Sequence, residues 1–308
     1  MIKKRAFRKM IITTFVFFIV LTLYMIPSKK QKDEKIYTYV DTIDVSLYLK
    51  NDYNQLTKVD FRISDRSIDN IIKEIIKKLT KSQDKTIPSE FIQVIPENTK
   101  LEDVYIDEGV VHLKFSKEFL NISNDEIEKV VESISYSLLN LDKIKGVSIY
   151  INDDNISKLF DKNIPNIITK EYGINKRIEL KNLNNVSKVT VFYVSSINDT
   201  DYYIPITKYV NDNREKIKII IDELSSNYVY ESNLISLLDK NVKLLNYEIK
   251  NDEMILDFNN SIFVDENDML EEVVYSISYS VFANYDVSDI SFRANGKEFI
   301  KKSTKNIE

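Results

Sequence analysis

The sequence predicts an α+β protein made of two tandem copies of one small mixed-sheet domain, each with its helices on one face of the sheet, after an N-terminal transmembrane helix. The main observation is an internal repeat, in which residues 98–156 align with residues 241–299 at one constant spacing and without a gap. The run VVESISYS at 130–137 returns as VVYSISYS at 273–280. The length of 308 residues agrees with about two domains. Because a repeat preserves a packed unit, both copies are expected to share one fold with the element order ββαββαβ.

The N-terminal segment has the pattern of a membrane anchor. A basic stretch, residues 1–9, precedes the uncharged run MIITTFVFFIVLTLYMI at 10–26. Since a membrane-spanning helix needs about 17 to 25 apolar residues, the run just qualifies. The basic flank predicts a single-pass protein with a cytoplasmic N-terminus and extracytoplasmic C-terminal domains. The predicted anchor residues are Met10, Phe15, Phe17, Phe18, Leu21 and Ile26.

A cleaved signal peptide is the alternative for this segment. Its apolar region would be shorter, about 7 to 15 residues, and a small-residue cleavage site would follow it. Residues 24–27, YMIP, offer no such site, so an uncleaved signal-anchor is favoured. Residues 27–35 then form a short polar spacer.

The first copy is predicted at residues 36–156. Short alternating patterns predict strands, apolar residues at helical spacing predict helices, and Asp107-Glu108-Gly109 predicts a hairpin turn. The predicted elements are strands at 45–49 and 59–63, a helix at 68–79, a hairpin at 101–115, a helix that Ser123 opens, and a strand at 147–151.

The second copy is predicted at residues 189–300, after a polar connection at 157–188. A charged tail at 301–308, expected to fray, ends the chain. The predicted elements are strands at 189–194 and 202–206, a helix at 217–224, a hairpin at 243–258, a helix at 267–282 and a strand at 290–294.

The second helix of each copy carries two further signals. Ser123, with Glu126 three residues later, predicts a capping box at the helix start in the first copy. Ser133, Ser135 and Ser137 bring small side chains to the centre of that helix. Either a close approach of the helix to the sheet or simple solvent exposure explains them, so no catalytic serine is needed.

Composition and motifs argue against catalysis. Apolar residues (43%) and charged residues (30%) are as frequent as in ordinary globular proteins. Cysteine is absent, which excludes disulfides, thiolate zinc sites, a cysteine nucleophile and a lipid-bearing cysteine. The net charge of −5, with basic residues concentrated only at the N-terminus, predicts that nucleic acid is not a partner.

Titratable clusters have ordinary structural explanations. The one histidine, His112, is predicted to lie on the more polar face of its strand with Val110 and Lys114, and its repeat counterpart is Ile255. Acidic clusters at 125–128 and 265–268 precede predicted helices, where negative charge complements the helix dipole. No nucleotide-binding, serine-hydrolase or zinc-protease motif is present in the sequence. We therefore predict no catalytic, cofactor or metal residues, and a protein that is not an enzyme.

The repeat resembles the GerMN domain, and the chain resembles GerM-type sporulation and germination proteins that carry two such domains. The matching segments are VFYV at 191–194, YYIPITKYV at 202–210, IIIDEL at 219–224, KLLNY at 243–247, LDFN at 256–259, IPENTKL at 95–101 and VHLKFSKEFL at 111–120.

This resemblance implies an envelope protein of a spore-forming bacterium, with domains similar in fold to the ring-building motifs of secretion and sporulation channels. It implies assembly or localisation of a mother cell–forespore channel complex, with other envelope proteins, the membrane and further copies of the chain as partners. The alternative is a peptidoglycan or small-ligand binding module, for which tyrosine rings could contact sugar. A metallopeptidase-like wall hydrolase is disfavoured, because one histidine cannot provide its metal ligands. The interaction candidates are Tyr193, Tyr202, Tyr203 and Tyr209.

Overall fold

The computed structural model describes residues 4–25, 42–64, 67–226, 233–264 and 268–304, and the chain divides into two units, Met1–Val40 and Asp41–Glu308. The first unit contains helix α1 (Lys4–Met25). Its apolar side chains are exposed, Phe15 and Phe18 among them. Within the described ranges no helix is both long enough and apolar enough to cross a membrane, so the predicted anchor is not confirmed. Ile26, predicted to end that anchor, lies outside the described residues.

The first copy has the predicted order ββαββαβ. Its 12-residue helix begins and ends where the apolar spacing predicts, and the hairpin has its predicted bounds, 101 and 115. The other three predicted strands are each one to three residues longer than predicted. The elements are β1 (Ile43–Lys50), β2 (Leu56–Ile63), α2 (Ile68–Leu79), β3 (Leu101–Asp107), β4 (Val110–Phe115), α3 (Ile127–Leu139), β5 (Gly146–Ile151) and the short β6 (Asp154–Asn155).

The second copy repeats this order with a longer first hairpin. Before it, the connecting segment adds one short strand. The elements are β7 (Arg177–Glu179), β8 (Val186–Ile197), β9 (Thr200–Asn211), α4 (Lys216–Ser225), β10 (Leu244–Lys250), β11 (Glu253–Phe258), α5 (Glu271–Asn284), β12 (Asp289–Ala294) and β13 (Lys297–Ser303).

The strands of each copy are divided between two sheets. In the first copy, β1 and β2 form an antiparallel hairpin, and β3-β4-β5-β6 form a mixed sheet in which β4 and β5 are parallel. In the second copy, β7-β9-β8 and β10-β11-β12-β13 are the corresponding sheets, with β11 parallel to β12. The α+β class with mixed sheets is therefore confirmed, and the parallel pair in each copy is connected through a helix, as parallel strands require.

Two tight turns are formed by pairs of residues with positive φ. Glu108 (φ 47°) and Gly109 (φ 85°) connect β3 and β4 at the predicted position. Asn251 (φ 50°) and Asp252 (φ 63°) connect β10 and β11 in the same way. Positive φ at both central residues is the geometry that matches the twist of a two-residue hairpin, so the register of both hairpins is set locally.

The predicted capping box at Ser123 is wrong. Helix α3 begins at Ile127, and its preceding residue Glu126 has helical φ and ψ without a side-chain cap. The Ser123 hydroxyl reaches the carboxylate of Glu126 at 3.4 Å, so these two side chains contact each other. The acidic and serine residues instead form a turn before the helix, where Ile127 N donates to Ser123 O.

Each copy has its own apolar core. Side chains of the connecting segment pack into the core of the first copy. Ile164, Ile168 and Ile174 are buried in the core of the first copy, although the sequence predicted a polar connection with at most one short element. At the other end, the predicted tail begins at residue 301, yet strand β13 continues to Ser303. The buried isoleucines of the connecting segment are separated by stretches that contain exposed polar residues, so no regular apolar pattern in the sequence indicated their burial. The predicted domain boundaries remain a prediction.

Candidate functional site

The two copies meet at a buried polar junction centred on Asn175. Its Oδ1 accepts a hydrogen bond from Leu56 N (2.8 Å), and its Nδ2 donates to Leu56 O (2.8 Å) at the start of β2. The same Nδ2 donates to Pro205 O (2.8 Å) on β9. Asn175 is buried and has φ 48°, a conformation that asparagine tolerates better than most residues. One side chain thus pairs backbone groups of both copies.

Proline is suited to the β9 side of this junction. Pro205 has no backbone N–H, so its carbonyl is the one backbone group that needs a hydrogen-bond partner there. Thr207, two residues further along β9, exchanges hydrogen bonds with Ile174, which precedes Asn175: Thr207 N donates to Ile174 O and Ile174 N donates to Thr207 Oγ1, both at 2.9 Å. The backbone of Ile174 thus pairs with both the backbone and the side chain of Thr207, which fixes the connecting segment against the second copy.

A buried carboxylate completes the junction. Glu132 on α3 is almost fully buried and accepts a hydrogen bond from Asn175 N (2.9 Å). Its other oxygen lies 3.5 Å from the ammonium of Lys176. Burial raises the pKa of Glu132, although Lys129 and Lys176 act in the opposite direction. The repeat counterpart of Glu132 is Tyr275, so this carboxylate is specific to the first copy.

A cleft of about 520 Å³ lies between the copies. From the first copy Tyr48, Lys58 and Tyr136 line it, and from the second Phe192 and Tyr279. The ammonium of Lys58 lies 4.6 Å from the ring centroid of Tyr279, a cation–π contact across the copies. The cleft therefore combines aromatic walls with polar groups from both copies.

Two of the four predicted interaction tyrosines have packing roles. Tyr193 is buried in the second core and reaches the carboxylate of Glu223 at 3.4 Å. Burial raises its pKa, and Glu223 adds to that effect. Tyr202 lies near the tip of the long hairpin β8-β9. It packs edge-on against Phe91 of the first copy, with 5.0 Å between ring centroids. Tyr193 is therefore closed to a stacking ligand, and Tyr202 is partly occupied by its contact with Phe91.

The other two tyrosines are half-buried. Tyr203 contacts Tyr275 and Tyr279 at centroid distances of 5.7 and 5.2 Å, so it belongs to a tyrosine cluster beside the cleft. Tyr209 lies on β9 opposite Lys188. Burial raises the pKa of both Tyr203 and Tyr209. The structure therefore does not bring the four candidates together, and their role as interaction residues remains a prediction.

His112 lies on the polar face of β4, as the alternation predicts, and stacks between two rings. Tyr105 on β3 is 4.5 Å away and parallel to within 4°, and Tyr150 on β5 is 6.1 Å away. The Nδ1 atom of His112 is buried and has no hydrogen-bond partner among the described residues. The described residues contain no group of three or more histidine and acidic side chains arranged to hold a metal. The acidic residues Asp265 and Glu266 lie outside the described ranges.

Three serines of the repeated helices form hydrogen bonds with the backbone of neighbouring strands. Tyr48 N on β1 donates to Ser137 Oγ (2.9 Å), and Ser133 Oγ donates to Tyr48 O. In the second copy, Phe192 N on β8 donates to Ser280 Oγ (2.9 Å). All of these serines are buried, so close helix-to-strand approach is correct and solvent exposure is wrong. The outer edges of β1 and β8 are consequently closed to further strands.

Strands β3 and β10 lie at the edges of their sheets. Strand β3 pairs only with β4, and β10 pairs only with β11, in the part of the chain that the structure describes. Most side chains of β3 are exposed, including Tyr105 with 53% of its surface accessible. Both strands begin with an irregular register, at Leu101–Asp103 and Leu244–Asn246. These two edges occupy equivalent places in the repeat.

Sequence reasoning did not identify Asn175 or Glu132. Asn175 lies in the connecting segment, and its partner Leu56 is 119 residues away, so no local pattern contains the contact. One sequence feature could have indicated that Glu132 is buried and paired. It is a carboxylate within an otherwise matching run of eight residues, opposite Tyr275 in the second copy. A charged residue on a helix that is buried almost all round requires a partner.

Comparison with known proteins gives consistent matches over both copies. A family model described as "Germane: Sporulation and spore germination" matches residues 46–157 and 190–299, more than half of the chain. The spore germination protein GerM of Bacillus subtilis (strain 168) is 29% identical over 222 residues, which are 68% of this chain and 60% of GerM. The chain thus spans less than two thirds of that relative.

A solved structure gives the same result. The tandem GerMN domains of the sporulation protein GerM from Bacillus subtilis superpose with a TM-score of 0.76 and 28% sequence identity. The superposition covers 83% of this chain and 92% of that structure. The resemblance deduced from the repeat segments is therefore confirmed for the fold and for the tandem arrangement.

Proposed function

The chain belongs to the Germane family of sporulation and spore germination proteins, and from this membership we propose that it is a non-enzymatic, membrane-anchored scaffold of the cell envelope. In this role it binds other envelope proteins and assists the assembly or localisation of a channel complex between mother cell and forespore. Its two copies act as one body that presents several protein-binding surfaces at fixed separations.

The observation that carries this proposal is the buried junction at Asn175. A flexible tether between two modules would give each module independent motion, as is usual for linked binding domains. Here one buried side chain pairs with backbone groups of β2 and β9 at 2.8 Å. Such pairing supports a fixed geometry between the copies. A fixed geometry is useful to a protein that positions its partners.

The distribution of the tyrosines supports protein binding over sugar binding. Sugar recognition by aromatic residues needs exposed ring faces, whereas Tyr193 is buried and Tyr202 packs on Phe91. The cleft between the copies favours a second candidate function, the binding of a small ligand or a peptidoglycan fragment. Its walls of Tyr48, Tyr136 and Tyr279 are the specific observation behind that alternative.

Membrane attachment is part of the proposal. It is supported by the exposed apolar side chains of α1, among them Met10, Phe17 and Leu21, and by the basic residues that precede them in the sequence. The two copies would then lie outside the cytoplasm, in the space between the mother cell and forespore membranes. Fractionation of the native protein tests this, and a shortened, soluble product would contradict it.

Affinity capture tests the scaffold function against the wall-binding alternative. The tagged full chain is recovered from crosslinked membranes of sporulating cells, and the purified full chain is incubated in parallel with isolated peptidoglycan sacculi. The scaffold function predicts stoichiometric recovery of defined envelope proteins and no retention on sacculi. Retention on sacculi without recovered envelope proteins would contradict it and favour the wall-binding module.

A further inference from the structure

Strand β3 has one edge that pairs with no other strand among the described residues, and an acidic and aromatic outer face. Because Glu108 and Gly109 form a two-residue turn, Asp107 and Val110 are a hydrogen-bonded pair. Hydrogen-bonded and non-hydrogen-bonded pairs alternate along an antiparallel ladder. The backbone groups of Val104 and Ile106 therefore point away from β4. This edge can accept the backbone of a further strand.

The side chains beside this edge are chemically specific. Asp103, Tyr105 and Asp107 alternate along β3 on the face that carries His112, and all three are exposed. Residues two apart on one strand face the same side, so an added strand would meet an acid, an aromatic ring and an acid at successive positions. The nearby cation Lys114 forms an ion pair with Asp153 at 2.8 Å and also interacts electrostatically with Asp103. The face still carries two carboxylates, Asp103 and Asp107, beside this one lysine.

The ring of Tyr105 is the open end of an aromatic stack. Tyr105 lies parallel on His112, which lies near Tyr150 on the other side, and Tyr105 has 53% of its surface exposed. Within the described ranges, no further strand lies beyond Tyr105. A planar guanidinium is well suited to extend such a stack, because arginine favours contact with aromatic faces.

The Asp103 side chain occupies one backbone N–H of the free edge, and a basic partner would displace it. The carboxylate of Asp103 accepts a hydrogen bond from Val104 N at 2.9 Å, and this N–H is one of the groups directed away from β4. A lysine or arginine on an added strand would attract the Asp103 carboxylate and free the N–H for strand pairing. Acidic side chains and an irregular register also discourage pairing with strands that lack basic residues.

From these observations we propose that β3 docks an extended segment of a partner protein that carries basic residues at alternate positions, with an arginine over Tyr105. The segment adds as a fifth strand to β3-β4-β5-β6, a recognition mode in which backbone pairing gives affinity and alternate side chains give specificity. This inference rests on the proposed scaffold function and names the surface and the chemistry of one partner.

The second copy provides a matched control edge. At equivalent places on β10 it has Asn246, Glu248 and Lys250 instead of Asp103, Tyr105 and Asp107. Ile249 is the counterpart of Ile106, and it is 48% exposed against 36% for Ile106. A proline at either position removes an outward N–H and leaves the hairpin ladder intact, as is tolerated on edge strands.

The test measures binding of two synthetic peptides to the full chain by fluorescence anisotropy. The probe is the capped peptide Thr-Lys-Val-Arg-Val-Lys-Thr, and its control replaces the three basic residues with Glu. We expect at least tenfold tighter binding of the basic peptide, loss of that preference in Ile106→Pro, and retention in Ile249→Pro. Equal binding of both peptides, or equal effects of the two prolines, would overturn the proposal.

Two further measurements separate the remaining explanations. If Ile106→Pro is misfolded by circular dichroism, the double variant Asp103→Asn with Asp107→Asn decides, since it keeps side-chain shape and should weaken basic-peptide binding at least tenfold. Sedimentation of the full chain without peptide tests whether a second copy of the chain occupies this edge. A dimer that dissociates in the Ile106→Pro variant would overturn the proposal. If the basic peptide does not bind, the proposed docking at β3 is overturned. The scaffold function is tested separately, by the capture of envelope proteins.

Discussion

The side chain of Asn175 makes two hydrogen bonds with the backbone of Leu56, one to its N–H and one to its C=O, both 2.8 Å long. An asparagine side chain carries an amide acceptor and two amide donors, so it can pair with both the N–H and the C=O of one residue at the edge of β2. Because its Nδ2 also reaches Pro205 on β9, the first copy and the second copy share this side chain. The connecting segment is therefore a structural part of the domain pair.

Asn175→Ala should destabilise the chain by about 3 kcal/mol or more. The substitution leaves Leu56 N, Leu56 O and Pro205 O without their partner, and each unpaired buried polar group costs about 1–3 kcal/mol. Urea unfolding followed by circular dichroism measures the change. Asn185→Ala is the control, because Asn185 has a similar φ of 51° but is exposed, and it should cost only about 1 kcal/mol. Equal costs for the two variants would show that backbone conformation alone explains Asn175.

Ser137→Ala should destabilise the chain by about 1–3 kcal/mol, because it leaves the buried N–H of Tyr48 unpaired. Ser135→Ala provides the contrast two residues earlier on the same helix. The Ser135 hydroxyl is buried and has no hydrogen-bond partner among the described residues, so its removal should be neutral or slightly stabilising. Thermal unfolding of both variants checks the pair. A larger loss for Ser135→Ala than for Ser137→Ala would contradict the assignment of strand capping to Ser137.

Glu132→Gln should reveal a pH dependence set by the junction. Burial raises the folded-state pKa of Glu132 above its unfolded value, which is about 4.3. The protonated carboxyl therefore favours the folded state, and this stability is fully present below about pH 4.3 and lost as pH rises through the folded pKa. As the pH rises through the folded-state pKa of Glu132, the free energy of unfolding of the wild type should therefore decrease relative to that of Glu132→Gln. Urea unfolding of both proteins at a series of pH values measures the difference, and a difference that moves in favour of wild type as pH rises would contradict the burial effect.

Lys58 and Tyr279 should couple energetically across the two copies. The Lys58 ammonium lies 4.6 Å from the Tyr279 ring centroid, and partly desolvated cation–π contacts contribute about 0.5–2 kcal/mol. A double-mutant cycle with Lys58→Met and Tyr279→Leu, measured by urea unfolding, isolates this coupling. The cycle of Lys58→Met with Tyr275→Leu is the control, because the cation near Tyr275 is Lys302 of the second copy. A coupling in the control cycle as large as that with Tyr279 would contradict a specific contact.

Local sequence patterns predicted the elements of both copies because their causes are local. Helix α2 follows directly from the spacing of its isoleucines, and the turn at Glu108 and Gly109 follows from residues that accept positive φ. The predicted start of α3 at Ser123 was wrong. Ser123 and Glu126, the residues of the predicted capping box, contact each other instead of capping the helix. Side-chain competition of this kind is decided by tertiary packing.

The junction and the strand capping could not be predicted, for a different reason. Asn175 with Leu56, and Ser137 with Tyr48, join residues 119 and 89 positions apart. Sequence periodicity shows which face of a helix is buried but not which backbone group it meets. The repeat did show that small residues occupy the centre of both α3 and α5, and in the structure the hydroxyls of Ser137 and Ser280 accept hydrogen bonds from β1 and β8.

A depletion series in sporulating cells tests the scaffold account most directly. The amount of the full chain is lowered in steps to about a tenth of the native level, and the yield of heat-resistant spores is counted at each step. A scaffold acts in stoichiometric amounts, so the yield should fall in proportion to the protein. An enzyme would keep processing its substrate at a tenth of the level, and a spore yield that stays unchanged there would contradict the account.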